Sequence, residues 1–282
     1  MNAGQRETET TVGAVRSAVE AAYPPELAES WDRVGLICGD PQATVSTVAF
    51  ALDCTQEVAE RAVEMGAQML VVHHPLLLRG VHSVAADTPK GRVLHTLMTG
   101  GVALLAAHTN ADSARPGVND CLAELVGITP GRPIKPTDPT VEDLDTATGL
   151  GRIGTLPAPM PLRDFVQQVA NALPVTTWGI RAAGDPDRLV HTVAVSSGAG
   201  DSFLDAVREL GVDAYVTSDL RHHPVDEYLR AGGPAVIDTA HWASEFPWTH
   251  QAARIVAQRT GLRTEVIEIR TDPWTLAAHA QE

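Results

Sequence analysis

The chain has 282 residues, 44% hydrophobic and 20% charged, with 21 basic against 35 acidic residues and a net charge of −14 when histidine is neutral. That apolar content rules out wholesale disorder, and the length suffices for one large or two medium domains. So acidic a surface repels phosphate backbones, which argues against nucleic acid as the main partner, although a metal cluster can reverse the field locally for a small anion. No stretch approaches the roughly 18 apolar residues that a membrane span needs. Residues 1–10 are too polar to pack and lack the apolar centre of a signal peptide. Cys38, Cys54 and Cys121 are odd in number, widely spaced and set among apolar residues. They read as buried free thiols in a reducing cytoplasm, and without a Cys-x-x-Cys pair a structural zinc knot is not expected.

In chain order, Val12, Val15, Val19 and Ala22 recur at helical spacing over 11–23, and Pro24-Pro25 end that helix. Residues 29–40 read as a turn leading into a strand, with Trp31 packing and Asp32 capping the turn. A strand over 48–52 precedes a helix over 55–65 with Thr55 as its N-cap. The next strand, 69–72, ends abruptly in His73-His74-Pro75. A helix over 88–98 follows, then a buried strand over 102–107 that runs into a loop, His108-Thr109-Asn110-Ala111-Asp112, and a helix over 118–126. This βαβα rhythm implies largely parallel sheets covered on both faces.

The proline-rich passage 129–139 marks a linker, so residues 1–128 are expected to form one α/β domain and 129–282 a second. The second reads as a glycine-punctuated strand over 149–156, a helix over 162–172, and strands over 175–180 and 189–196. The glycine-containing segment 195–201 is either a tight strand–helix turn or an anion cradle at the start of a helix over 202–210. A strand over 214–217, a helix from His222-His223-Pro224 to Arg230, a strand over 235–237, a long helix through Arg259 and a strand over 264–269 follow. The tail from Asp272 is expected to be loosely held.

His73 and His74 are adjacent, and adjacent side chains on a strand face opposite ways. They serve one site only where the strand is ending, and Pro75 provides the break. His241 and Glu245 are four apart at a helix start and share a face, which suits a metal grip or a helix-capping arrangement. Asp112 is either a ligand or an ordinary N-cap. Each of these groups lies just past a strand, where open α/β sheets gather ligands, so a metal site is expected at the carboxyl ends of strands between the two domains. Three imidazoles and two carboxylates are more than one catalytic zinc needs and sparse for two metals, unless a carboxylate bridges and water fills the open positions. Nitrogen and oxygen donors without thiolate fit Zn²⁺, Mn²⁺, Fe²⁺ or Co²⁺. Two such ions acidify a bridging water and polarise a carbonyl, phosphoryl or ring carbon. His223 reads as a substrate-side or proton-transfer group, with a helix cap as the alternative.

Five stretches together resemble the NIF-three-like family, often labelled GTP cyclohydrolase 1 type 2 homologues. They are Glu29-Ser30-Trp31-Asp32-Arg33-Val34-Gly35-Leu36, Val72-His73-His74-Pro75, His108-Thr109-Asn110-Ala111-Asp112, Gly149-Leu150-Gly151-Arg152-Ile153-Gly154 and His241-Trp242-Ala243-Ser244-Glu245. The resemblance implies a two-domain α/β fold, a dinuclear metal centre and a ring-shaped homohexamer, in the compact form that lacks the inserted domain of longer relatives. It makes His73, His74, Asp112, His241 and Glu245 the ligands of two divalent ions, and places His223 at the usual histidine of a further motif, Thr217 to His223. Arg33 stands where asparagine is usual, Ala111 where a larger aliphatic is usual, and Ala240 where glycine commonly precedes the histidine. Two functions follow as expectations: a metal-dependent hydrolase of a nucleotide or related small ring compound, or a non-catalytic protein that stores or delivers metal or serves as a scaffold.

Overall fold

The computed structural model describes residues 9–278. Of the polar N-terminal stretch, residues 1–8 lie outside the described residues, and Thr10 is tied in, its carbonyl accepting from Val45 N at 2.8 Å. In chain order the first elements are α1 (Val12–Glu20), β1 (Gly35–Cys38), β2 (Thr47–Ala51), α2 (Gln56–Glu64), β3 (Met69–Val72), α3 (Pro89–Thr99), β4 (Ala103–Ala106), α4 (Thr109–Ser113) and α5 (Val118–Leu125). Short strands β5 (Thr129–Pro130), β6 (Lys135–Pro136) and β7 (Gly149–Leu150) precede β8 (Arg152–Pro161), α6 (Leu162–Ala172), β9 (Arg181–Ala183) and β10 (Leu189–Ala199). The remainder is α7 (Leu204–Glu209), β11 (Ala214–Ser218), α8 (His222–Arg230), β12 (Ala235–Thr239), α9 (His241–Glu245), α10 (Pro247–Thr260) and β13 (Arg263–Val266).

The chain packs as two units. One takes residues up to Pro25, Ser30–His108 and Thr249–Ile269; the other takes Glu26–Glu29, Thr109–Trp248 and the residues from Arg270 on. The main division therefore follows His108, not the proline-rich passage at 129–139, and Asp112 and α5 belong to the second unit. A buried ion pair is the physical reason. Arg152 is fully buried and spends all five guanidinium donors, on both carboxylate oxygens of Asp120 and on the carbonyls of Ala114, Gly149 and Gly151. That network fastens α5 to the β7–β8 turn.

In the first unit a five-stranded sheet runs β1-β4-β3-β2-β13. All its pairs are parallel except β1 with β4, so the expected parallel sheet has one antiparallel edge. Residues Met69, Leu70, Val71 and Val72 are all fully buried, which is why β3 reads as an unbroken apolar run. On one face, Val58, Ala59 and Ala62 of α2 and Val93 and Leu97 of α3 pack on Leu70, Val72 and Leu104. Thr55 caps α2 through its hydroxyl to Val58 N at 3.2 Å, worth about 1 kcal/mol.

The second unit's six-stranded sheet runs β5-β8-β10-β11-β12-β9, with β10, β11 and β12 parallel at its centre and antiparallel strands at both margins. The strand expected over 175–180 does not form. Pro174 and Gly179, at φ +68°, break it, and the edge strand comes at β9. The long helix expected to follow His241 divides into α9 and α10, because Pro247 has no N–H with which to continue the first. Asp112 lies in a single helical turn, α4, where a loop was expected. Of the tail expected to be loosely held, Asp272 is 7% exposed and accepts from Trp274 N at 3.3 Å, and Trp274 packs on Trp178 with centroids 5.9 Å apart; residues 273–278 are exposed, and 279–282 lie outside the described residues.

Candidate metal centre

In the first unit the donors sit at the carboxyl ends of β3 and β4. The amides of His73 and His74 both donate to one acceptor, Leu52 O, at 3.1 and 3.0 Å. That shared carbonyl breaks the strand alternation and turns the two rings to one side, with centroids 5.0 Å apart. His108, two residues past β4, completes a triad, at 5.1 Å from His73 and 5.6 Å from His74. One donor atom from each of the three lies within 4.8 Å of the others.

Each ring is held from behind. His73 Nδ1 donates to Ala107 O at 2.9 Å, His74 Nδ1 to Asp53 Oδ1 at 2.7 Å, and His108 Nδ1 to Asp32 Oδ1 at 2.9 Å. An oxygen acceptor at Nδ1 keeps the proton there, so Nε2 is the nitrogen through which each ring ligates. Metal-binding histidines are oriented in this way by carboxylates and carbonyls.

In the second unit His241 opens α9 just past β12, and its Nδ1 meets Asp219 Oδ2 at 2.8 Å. Asp219 is the one non-glycine residue at positive φ (+58°) among the described residues, and it lies directly after β11. His241 Nε2 lies 3.1 Å from Glu245 Oε2, one turn along the helix. Glu245 is 4% exposed. Burial on its own would lower the pKa of His241, but the Glu245 and Asp219 carboxylates more than offset it and raise it well above the usual value. Asp112 is oriented by Ser197, whose hydroxyl donates to its Oδ1 at 3.4 Å, while Asn119 holds its carbonyl at 3.0 Å. Next in the chain, Gly198 at φ +63° presses so close that a Cβ there would stand 2.3 Å from Glu245 Oε1 and 3.2 Å from His241 Nε2. The donors thus border a space that only glycine leaves open. By donor chemistry and orientation, these residues fit divalent metal.

Of the five expected ligands, His73 and His74 lie in the first unit with His108, and Asp112, His241 and Glu245 lie in the second. His223 is exposed in the first turn of α8, its ring 5.2 Å from that of His222. Ala240 adopts φ −72°, so the glycine usual there is not required. Sequence reasoning missed His108 as a donor and missed the anchoring by Asp53 and Asp219, and it read Asp32 only as a turn cap. Each of these stands at the end of a strand or beside one, and that signal applied to all four.

The family profile described as Duf34/NIF3 (NGG1p interacting factor 3) matches residues 10–273. A Streptomyces coelicolor protein named GTP cyclohydrolase 1 type 2 homolog is 51% identical over 267 residues, covering 93% of this chain and 92% of that one. A Mycobacterium tuberculosis protein of the same name is 40% identical, covering 93% and 96%. Among solved structures, a Bacillus cereus protein related to NIF3 superposes with a TM-score of 0.87 at 22% identity, covering 95% of this chain and 99% of the other, which speaks to the fold alone. A Staphylococcus aureus hypothetical protein, SA1388, has a TM-score of 0.85 at 26% identity, covering 95% and 100%. With the motifs in order along nearly its whole length, the chain belongs to the DUF34/NIF3 family.

Proposed function

We propose that this protein is a hydrolase that uses two divalent ions, held by His73, His74, His108, Asp112, His241 and Glu245, and acts on a nucleotide or related ring compound. One observation carries the reading: four imidazoles are each anchored at Nδ1 by an oxygen acceptor, which prepares Nε2 as a ligand. A pair of divalent ions, when bound, supplies Lewis acidity and lowers the pKa of coordinated water. Zn²⁺, Mn²⁺, Fe²⁺ and Co²⁺ all suit nitrogen and oxygen donors of this kind.

The chain's own residues do the positioning. Asp32, Asp53 and Asp219 fix ring orientations, Ser197 orients Asp112, and Gly198 keeps space beside Glu245. His223, exposed to solvent, is assigned the exchange of a proton with the leaving group. GTP ring opening is the first reaction to try, on the strength of the relatives' names alone. The protein is further proposed to assemble as a ring-shaped homohexamer in the cytoplasm, where its three free thiols stay reduced. No helix among the described residues is long and apolar enough to cross a membrane.

The test is metal analysis of the untagged protein together with a nucleotide hydrolysis panel. The expected result is two ions per chain, with His74→Ala and Glu245→Ala losing metal and turnover together. Turnover that survives metal loss sinks the hydrolase reading. Full metal content without turnover on any substrate favours storage or delivery of metal. His223→Gln should keep its metal and lower kcat, and light scattering should return the mass of six chains.

A further inference from the structure

Trp31 and Arg33 flank Asp32 in the turn before β1. Asp32 is 7% exposed, and its Oδ1 accepts from Arg33 N at 2.7 Å and from His108 Nδ1 at 2.9 Å. Asp32 is buried, whereas the residues on either side of it, Trp31 and Arg33, are exposed. Trp31 leaves 52% of its surface in solvent and stands nearly perpendicular to the His108 ring, centroids 5.9 Å apart at 79°. The Asp32 bonds that orient a ligand histidine therefore also fix the turn that presents the indole.

Arg33 is exposed too, and its guanidinium is held by a main-chain carbonyl, Asp32 O, not by a carboxylate. It adds a positive charge next in sequence to Asp32, the residue that holds His108, in a chain of net charge −14. An indole face binds planar rings of any sequence or substituent, and a planar guanidinium binds phosphate or carboxylate through paired N–H groups.

We propose that Trp31 and Arg33 together form the recognition element for an anionic aromatic substrate, the ring stacking on the indole and the anionic group meeting the guanidinium. This rests on the hydrolase reading above and narrows it to compounds that carry both a planar ring and a phosphate or carboxylate.

Calorimetric titration of the metal-loaded protein with guanosine 5′-monophosphate, guanosine and ribose 5-phosphate tests it. Trp31→Ala should weaken binding of the nucleotide and the nucleoside about 5- to 100-fold, the range of one base stack, and leave ribose 5-phosphate unchanged. Trp31→Phe should restore most of the loss. Arg33→Asn should weaken the two phosphates and leave guanosine unchanged. Metal content and melting temperature should match the unsubstituted protein in all three variants, because neither side chain is a ligand. A Trp31→Ala variant that weakens all three probes equally, or loses metal, shows a structural role and overturns the proposal. If the unsubstituted protein binds the nucleotide no tighter than ribose 5-phosphate while hydrolysing other substrates, ring recognition fails and the hydrolase reading stands. If it binds none of the three probes and turns over nothing, both fail.

Discussion

Two adjacent histidines share one site because a single carbonyl, Leu52 O, accepts from both their amides. A regular strand would have sent one ring to each face of the sheet. Carboxylates behind metal-binding imidazoles matter nearly as much as the rings, since loss of such a partner typically costs about 10- to 100-fold in metal affinity. Asp53→Asn and Asp219→Ala should each lower metal affinity by about that factor while leaving the melting temperature of the metal-free protein within about 1 kcal/mol equivalent. Competition with a fluorescent chelator measures it. Gly198→Ala makes a sharper case, because its methyl group would meet Glu245 Oε1 at 2.3 Å and its backbone sits at φ +63°. That variant should bind substoichiometric metal by elemental analysis even where its circular dichroism is unchanged.

At the scale of elements, the fastening of α5 to β7–β8 by Asp120 and Arg152 joins groups that are almost wholly withdrawn from solvent, at 5% and 0% side-chain exposure. Breaking one partner leaves a buried charge without its counter-ion, which costs about 3–5 kcal/mol. Arg152→Met should therefore lower the urea midpoint steeply, and adding Asp120→Asn to it should recover part of the loss. Cys54, just past β2 and 8% exposed, has its thiol pushed up to about 12, chiefly by burial. The fold holds this proton more tightly than the unfolded chain does. Its contribution to stability is thus complete below the unfolded thiol pKa of about 8.5 and is lost as pH rises from there through about 12. Cys54→Ala should flatten that alkaline loss in unfolding curves, and a thiol reagent at neutral pH should modify Cys54 only as fast as the protein opens.

At the scale of the molecule, the proposed ions would act as folding ligands as well as cofactors. Binding to the folded chain alone stabilises by about 4.1 kcal/mol when free metal exceeds Kd a thousandfold. Chelator treatment should lower the melting temperature accordingly, and titrating metal back should restore it. A melting temperature indifferent to chelator would mean that the donor residues hold nothing.

Much of this was legible in the chain itself. The bounds of α6, 162–172, and the capping of α2 by Thr55 follow from period and end signals. The family follows from motif order. The misses have specific causes. Proline and glycine removed the strand over 175–180, and Pro247 split the last long helix. The main division moved to His108 because Arg152 and Asp120 meet across 32 residues of sequence.

By itself the sequence determined local matters: apolar period, turn and cap residues, and which side chains are able to bind metal, since these depend on neighbours along the chain. The tertiary structure alone decided which oxygen stands behind each imidazole. His74 finds Asp53 across 21 residues, His241 finds Asp219 across 22, and His108 finds Asp32 across 76. Hydrogen bonds of that span exist only once strands are paired in register, so no local pattern encodes them.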